Sequence, residues 1–221
     1  RTLTYEPDDL TIGVEAGTTL AELQAILARN GQLLPLDHWA PAEVTLGALV
    51  AGAAESPRRL GYGTMRDWVL ALTVVEADGA VSRLGAQVVK NVTGYDLVKL
   101  FVGSRGTLGL IAAASLRVFP APPATASCAI ALPDRAAALA LLDALAASRL
   151  QPTAAELLER VIAPPAPPAP AQEAAAICNL QSGNLQSWVT SLPAAAAPVF
   201  TALQAGGCIL AVRAEGREEA V

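Results

Sequence analysis

Aromatic side chains make up only 4% of this 221-residue chain, histidine occurs once and cysteine three times. Each scarcity removes a kind of chemistry. One histidine, His38, cannot build a histidine-based metal cluster. Cys128, Cys178 and Cys208 are odd in number and far apart. That argues against a disulfide framework and against the clustered thiolates of a zinc or iron–sulfur site. Buried structural thiols in a reducing cytoplasm are the expectation. Long apolar runs are also missing, and none reaches the roughly 18 residues that span a bilayer. Lys and Arg total 15 against 20 Asp and Glu, and they form no stripe. A net charge of −5 disfavours nucleic acid and repels anionic lipid. Residues 1–9 are polar, do not read as a signal peptide, and do not begin with Met.

What is present is aliphatic. Apolar residues are 53% of the chain, mostly Ala, Leu and Val, which suits a globular core with close backbone packing. Residues 10–16 read as a strand. Thr18 or Thr19 can cap the helix that follows, with Glu22 in its first turn and Leu20, Leu23, Ile26 and Leu27 at helical spacing. Asn30-Gly31 stops it. Residues 45–54 are apolar and broken by Gly47 and Gly52, giving either a buried helix or a tight turn. Residues 69–76 and 81–84 read as a hairpin closed by Ala77-Asp78-Gly79-Ala80. A short apolar stretch at 97–102 and a glycine-rich loop at 103–109 precede a strand over 110–119.

A second region begins after Pro120, Pro122 and Pro123. Residues 128–132 suggest a strand, 134–149 a helix capped by Asp134, and 208–214 a last strand. Residues 163–170 hold five prolines in eight positions, which makes a stiff linker or exposed loop.

Glycine placement carries most of the functional information. Thr45-Leu46-Gly47-Ala48 is followed by Arg58-Arg59-Leu60-Gly61-Tyr62-Gly63, and later by Gly103-Ser104-Arg105-Gly106-Thr107-Leu108-Gly109. Glycine allows close backbone approach and offers N–H groups to phosphate or carbonyl oxygens. The last cluster is spaced G-x-x-G-x-x-G and enters a strand, so it is not a Rossmann fingerprint. No G-x-x-x-x-G-K-[ST] loop is present, which disfavours ATP or GTP hydrolysis. Read from the residues alone, simple turns remain the alternative.

Four blocks in order resemble one family. Val14-Glu15-Ala16-Gly17-Thr18-Thr19-Leu20-Ala21-Glu22-Leu23 matches its V-E-x-G-x-T-L-x-x-L step. Pro57-Arg58-Arg59 with Arg66-Asp67-Trp68-Val69-Leu70 forms the second block. The third is Lys90-Asn91-Val92-Thr93-Gly94-Tyr95-Asp96, and the fourth is the G-S-x-G-T-L-G run at 103–109. Together they resemble the PCMH-type FAD-binding domain of the vanillyl-alcohol-oxidase family. Within it, the second and third blocks resemble the glycolate oxidase flavin subunits.

The resemblance implies an α+β fold. Residues 1–123 would be a PCMH-type FAD-binding domain, its second subdomain largely complete and its first mostly missing. Residues 124–221 would be part of a smaller α+β cap or substrate domain. The family's pyrophosphate loop would lie before residue 14, so the expectation is a chain truncated at both ends. Thr45, Leu46, Gly47 and Ala48 would lie near the diphosphate and flavin. Arg58, Arg59, Tyr62 and Gly63 would flank the ring system, and Gly106, Leu108, Gly109 and Ile111 would meet FAD mainly through backbone. Ala48 stands where the family has a second glycine, which narrows the approach. The arginine pair has a rival reading as a salt-bridge site.

No substrate-oxidising centre emerges. His38 beside Trp39 reads as a loop residue, and Asp67 and Asp96 read as caps. The resemblance therefore implies an FAD-binding subunit of a glycolate or other 2-hydroxy-acid oxidase complex. It would work with a partner flavoprotein subunit and an iron–sulfur subunit, in the cytoplasm or peripheral to the inner membrane through that complex. Two alternatives stay open: a flavin-free scaffold docking those subunits, and a self-sufficient D-lactate-type FAD dehydrogenase.

Overall fold

A computed structural model describes residues 1–85, 96–149, 151–159 and 208–216. The chain divides into two compact units, residues 1–36 with 40–121, and residues 37–39 with 122–221.

In the first unit the order is β1 (Thr2–Glu6), β2 (Thr11–Glu15), α1 (Leu20–Ala28), β3 (Gln32–Leu33), α2 (Leu46–Gly52), α3 (Arg59–Tyr62), α4 (Met65–Trp68), β4 (Val69–Val75), β5 (Val81–Gly85), α5 (Leu97–Phe101), β6 (Leu110–Arg117) and β7 (Phe119–Pro120). Five strands form an antiparallel sheet in the order β1-β2-β6-β4-β5, and β3 pairs with β7. The late strand β6 thus lies at the centre, between β2 and β4, in register Val14 to Ala114 to Leu72. Alternation fixes the faces. Ile12 and Val14 of β2, Leu72 and Val74 of β4, and Ala114 and Leu116 of β6 are buried in one cluster, and a register shift opposite Thr73 and Val74 brings Ile111 into it.

The predicted helix at α1 forms because its apolar residues repeat every three or four positions. Leu20, Leu23 and Leu27 are at most 1% exposed. Thr19 starts it with a capping box. The Thr19 side chain accepts from the Glu22 amide, and the Glu22 carboxylate accepts from the Thr19 amide. Those bonds, backbone first, hold the Glu22 carboxyl below the ordinary range. The hairpin between β4 and β5 turns at Gly79, where Asp78 accepts from the Ala80 amide. At Gly85 a Cβ would stand 2.2 Å from the Leu70 carbonyl oxygen, and φ is +76°. No side chain fits there.

The second unit contains β8 (Ala124–Leu132), α6 (Arg135–Ala147), β9 (Ala154–Glu159) and β10 (Cys208–Gly216). Its sheet is antiparallel in the order β8-β10-β9. Asp134 caps α6 by accepting from the Ala137 amide at 2.8 Å. Of the α6 residues only Ala138 is buried, while Leu210 and Val212 are buried on β10.

Several sequence expectations need correction. The polar residues at the start form strand β1, and the short apolar stretch at 97 is helix α5. The strand expected at 128–132 begins at Ala124, and β9 carried no strand signal. Cys128 is exposed rather than buried, on a strand none of whose residues is buried. The proline-rich stretch at 163–170 and Cys178 lie outside the described residues.

Candidate functional site

The site is organised around the short helix α2. Thr45 caps its start, with its side chain accepting from the Ala48 amide at 3.4 Å. The Leu46 amide donates to the Thr18 carbonyl and the Gly47 amide to the Ala16 carbonyl, both at 2.8 Å. All three amides at this end are therefore committed within the chain. The close approach requires Gly47, since a Cβ there would sit 2.8 Å from the Ala16 Cβ. Leu46 is buried in the core, while Ala48 faces outward.

The other end of α2 is closed by the glycine-rich loop. The Gly103 amide donates to the Val50 carbonyl at 3.0 Å, and the Arg105 amide to the Ala51 carbonyl at 2.8 Å. These bonds satisfy carbonyls that a helix end leaves open. Thr107 returns its amide and hydroxyl to the Ser104 carbonyl. By contrast, the amides of Gly106 and Leu108 meet no acceptor among the described residues. The chain then enters β6, where the Ala112 carbonyl accepts from the Ala16 amide beside the start of α2. Loop and strand so run alongside α2 from end to end, a length of roughly 10 Å for seven residues. Leu108 is 43% exposed, whereas Ile111 packs into the core.

The arginine segment lies on the continuation of α2. The Arg58 amide donates to the Ser56 hydroxyl at 3.3 Å, and Arg58 is buried. Arg59 forms an exposed ion pair with Glu55, four residues earlier. Tyr62 packs edge-on against Phe119 at 5.2 Å, and its carbonyl accepts from the Trp68 indole at 2.8 Å. Gly63 abuts the Asp67 carboxylate.

Asp67 completes a capping box, accepting from the Thr64 amide at 2.9 Å and the Thr64 hydroxyl at 2.8 Å. These bonds, backbone first, lower its carboxyl below the ordinary range, and Lys99 and Arg66 add to the effect. Arg66 also reaches the Val102 carbonyl at 3.5 Å, where the glycine loop begins. Asp96 caps α5, accepting from the Lys99 amide at 3.3 Å, and pairs with the Lys99 ammonium at 3.2 Å. Both aspartates thus have the capping roles read from the sequence. Of the Lys90–Asp96 block only Asp96 is among the described residues.

The structure sets the 103–109 loop against the end of α2 and β6 beside the helix that Thr45 to Ala48 begin, with Arg58 to Gly63 following that helix in the chain. It also places Arg105 among them, a residue the sequence offered only as the variable position of a glycine block. In the second unit, His38 stacks on Trp39 at 5.5 Å. Glu156 on β9 has its carboxyl raised, first by burial and then by Asp37.

With this geometry in hand, the chain can be set beside known proteins. Residues 1–85 match the family described as FAD binding domain. Over that segment the chain resembles an FAD binding domain. Its curated relatives include the glycolate oxidase subunit GlcE of Escherichia coli (strain K12), 41% identical over 56% of this chain and 35% of the relative. The D-lactate dehydrogenase of Anaerostipes hadrus is 35% identical over 72% of this chain and 34% of its own length. The glycolate oxidase subunit GlcD of Bacillus subtilis (strain 168) is 34% identical over 72% and 34%. The chain spans about a third of the length of these relatives. A solved alkyldihydroxyacetonephosphate synthase superposes with a TM-score of 0.71 at 21% identity, over the whole of this chain and 37% of that one, and shares the fold. The domain is α+β, as its motifs implied. No helix among the described residues is long and apolar enough to cross a membrane.

Proposed function

We propose that this chain is the FAD-binding part of a 2-hydroxy-acid oxidoreductase of the glycolate oxidase kind. The observation that carries the reading is the glycine loop at 103–109. Its Gly106 and Leu108 amides point to no acceptor among the described residues, beside the domain that matches the FAD binding family. Open amides next to glycines suit the carbonyl and phosphate oxygens of a dinucleotide. Gly106, Leu108, Gly109 and Ile111 would hold FAD through backbone. Arg58, Arg59, Tyr62 and Gly63 would flank it. Thr45, Leu46, Gly47 and Ala48 would shape its floor and donate nothing, since their amides are spent on Thr18, Ala16 and Thr45.

Bound FAD supplies a hydride acceptor for oxidation at the hydroxyl-bearing carbon of the acid. The chain itself contributes binding and orientation. In this reading the chain is one subunit of a complex, as the names of the glycolate oxidase subunits GlcE and GlcD suggest, and a partner flavoprotein subunit and an iron–sulfur subunit would complete the reaction and carry electrons onward. The committed amides of α2 favour a second reading, a scaffold that keeps the fold without flavin. The visible spectrum of the purified chain separates them. The proposal expects flavin bands near 1:1, and a folded but colourless chain that takes up no FAD would favour the scaffold.

A further inference from the structure

The amides at the start of α2 are spent, so a phosphate on this edge would have to be met by other groups. Three cations stand on α4, α5 and the glycine loop in a chain whose net charge is −5. Lys99 is paired with Asp96 at 3.2 Å. Arg66 reaches the Val102 carbonyl, a long contact at 3.5 Å that leaves most of its donors unused. Arg105 is exposed, and its side chain has no ion pair or hydrogen bond among the described residues. Its amide is fixed on the Ala51 carbonyl at 2.8 Å, immediately before the open amide of Gly106. Arg105 also has φ +54°, a conformation that costs a non-glycine residue about 1–2 kcal/mol. Glycine would fit that backbone better, so stability does not account for an arginine here. A long cation beside two open amides presents donors and charge together, the combination that holds a phosphate.

We propose that Arg105, assisted by Arg66, is a phosphate-binding side chain of the dinucleotide site. This rests on the FAD reading above and adds to it residues outside the matched segment 1–85 or outside the motifs assigned to the cofactor. The chemistry recognised is a phosphate ester or anhydride, whether carried by FAD or free as pyrophosphate.

The test measures binding of FAD, riboflavin and inorganic pyrophosphate to the chain and to its Arg105→Gly and Arg105→Lys variants at low salt. Arg105→Gly relieves the positive-φ strain, so the fold is retained while the guanidinium is lost. The expected result is a Kd for FAD raised about tenfold in Arg105→Gly, partial recovery in Arg105→Lys, and riboflavin binding unchanged because it carries no phosphate. Added salt should shrink the difference. Equal FAD binding by wild type and Arg105→Gly overturns the inference and leaves the FAD reading standing. So does an equal loss of FAD and riboflavin. If Arg105→Gly lowers the Tm and leaves binding alone, the side chain serves the end of α2, and the inference fails. If wild type binds no FAD, but binds pyrophosphate and loses it in Arg105→Gly, the phosphate site stands and the FAD reading falls. Absence of both kinds of binding overturns both.

Discussion

The two units use the same aliphatic alphabet to different ends. In the first, α1 buries Leu20, Leu23 and Leu27 completely, and they join β2, β4 and β6 in one large cluster. In the second, α6 is longer, at 13 residues, yet buries only Ala138, while Leu139 is 49% exposed. Composition therefore does not set core strength. Burial of large side chains does, at about 25 cal/mol per Å² of apolar surface removed from water. The first unit can hold a loop rigidly against α2. The second presents more surface than it encloses among its described residues.

Substitutions can break or sharpen that contrast. The largest effect is expected for Leu23→Ala, a loss of about 3–5 kcal/mol in chemical denaturation, because it empties a fully buried site. Gly85→Ala comes next, with a loss of about 2–4 kcal/mol, since it adds overlap with the Leu70 carbonyl to left-handed strain. Thr19→Ala removes half of a capping box and should cost about 1 kcal/mol. Leu139→Ala on α6 should stay within about 0.5 kcal/mol, and a cost comparable to Leu23→Ala would erase the contrast.

Protons should separate the units by sign. Glu22 and Asp67 in the first unit have lowered carboxyls. Their contribution is present above the ordinary carboxylate range and is lost as pH falls through the lowered folded values. Glu156 in the second unit has a raised carboxyl, so folding there favours the protonated form. Its penalty grows as pH rises from the ordinary glutamate value through the raised one. Hydrogen exchange followed by unit across acid pH should show opposite slopes, and Glu156→Gln should flatten only the second.

Much of the first unit was legible because its signals are local. The three-residue offset of Thr19 and Glu22, the leucine spacing of α1 and the Asp78-Gly79 turn each act within a few positions. Strand β1 was hidden because its sequence, Thr-Leu-Thr-Tyr-Glu, is polar at an edge, and only pairing with β2 makes it a strand. β9 was hidden for a stronger reason. Ala-Ala-Glu-Leu-Leu-Glu favours a helix locally, and pairing with β10 overrides that preference. The candidate site was legible as glycine blocks. Which amides were free was not, because the acceptors of Leu46 and Gly47 lie some thirty residues earlier, at Thr18 and Ala16.

The most direct test of the account is a calorimetric titration of the folded 221-residue chain with FAD. The account predicts saturable binding at one site per chain, weakened by competing pyrophosphate. No binding, by a chain whose cooperative unfolding is intact, would contradict it.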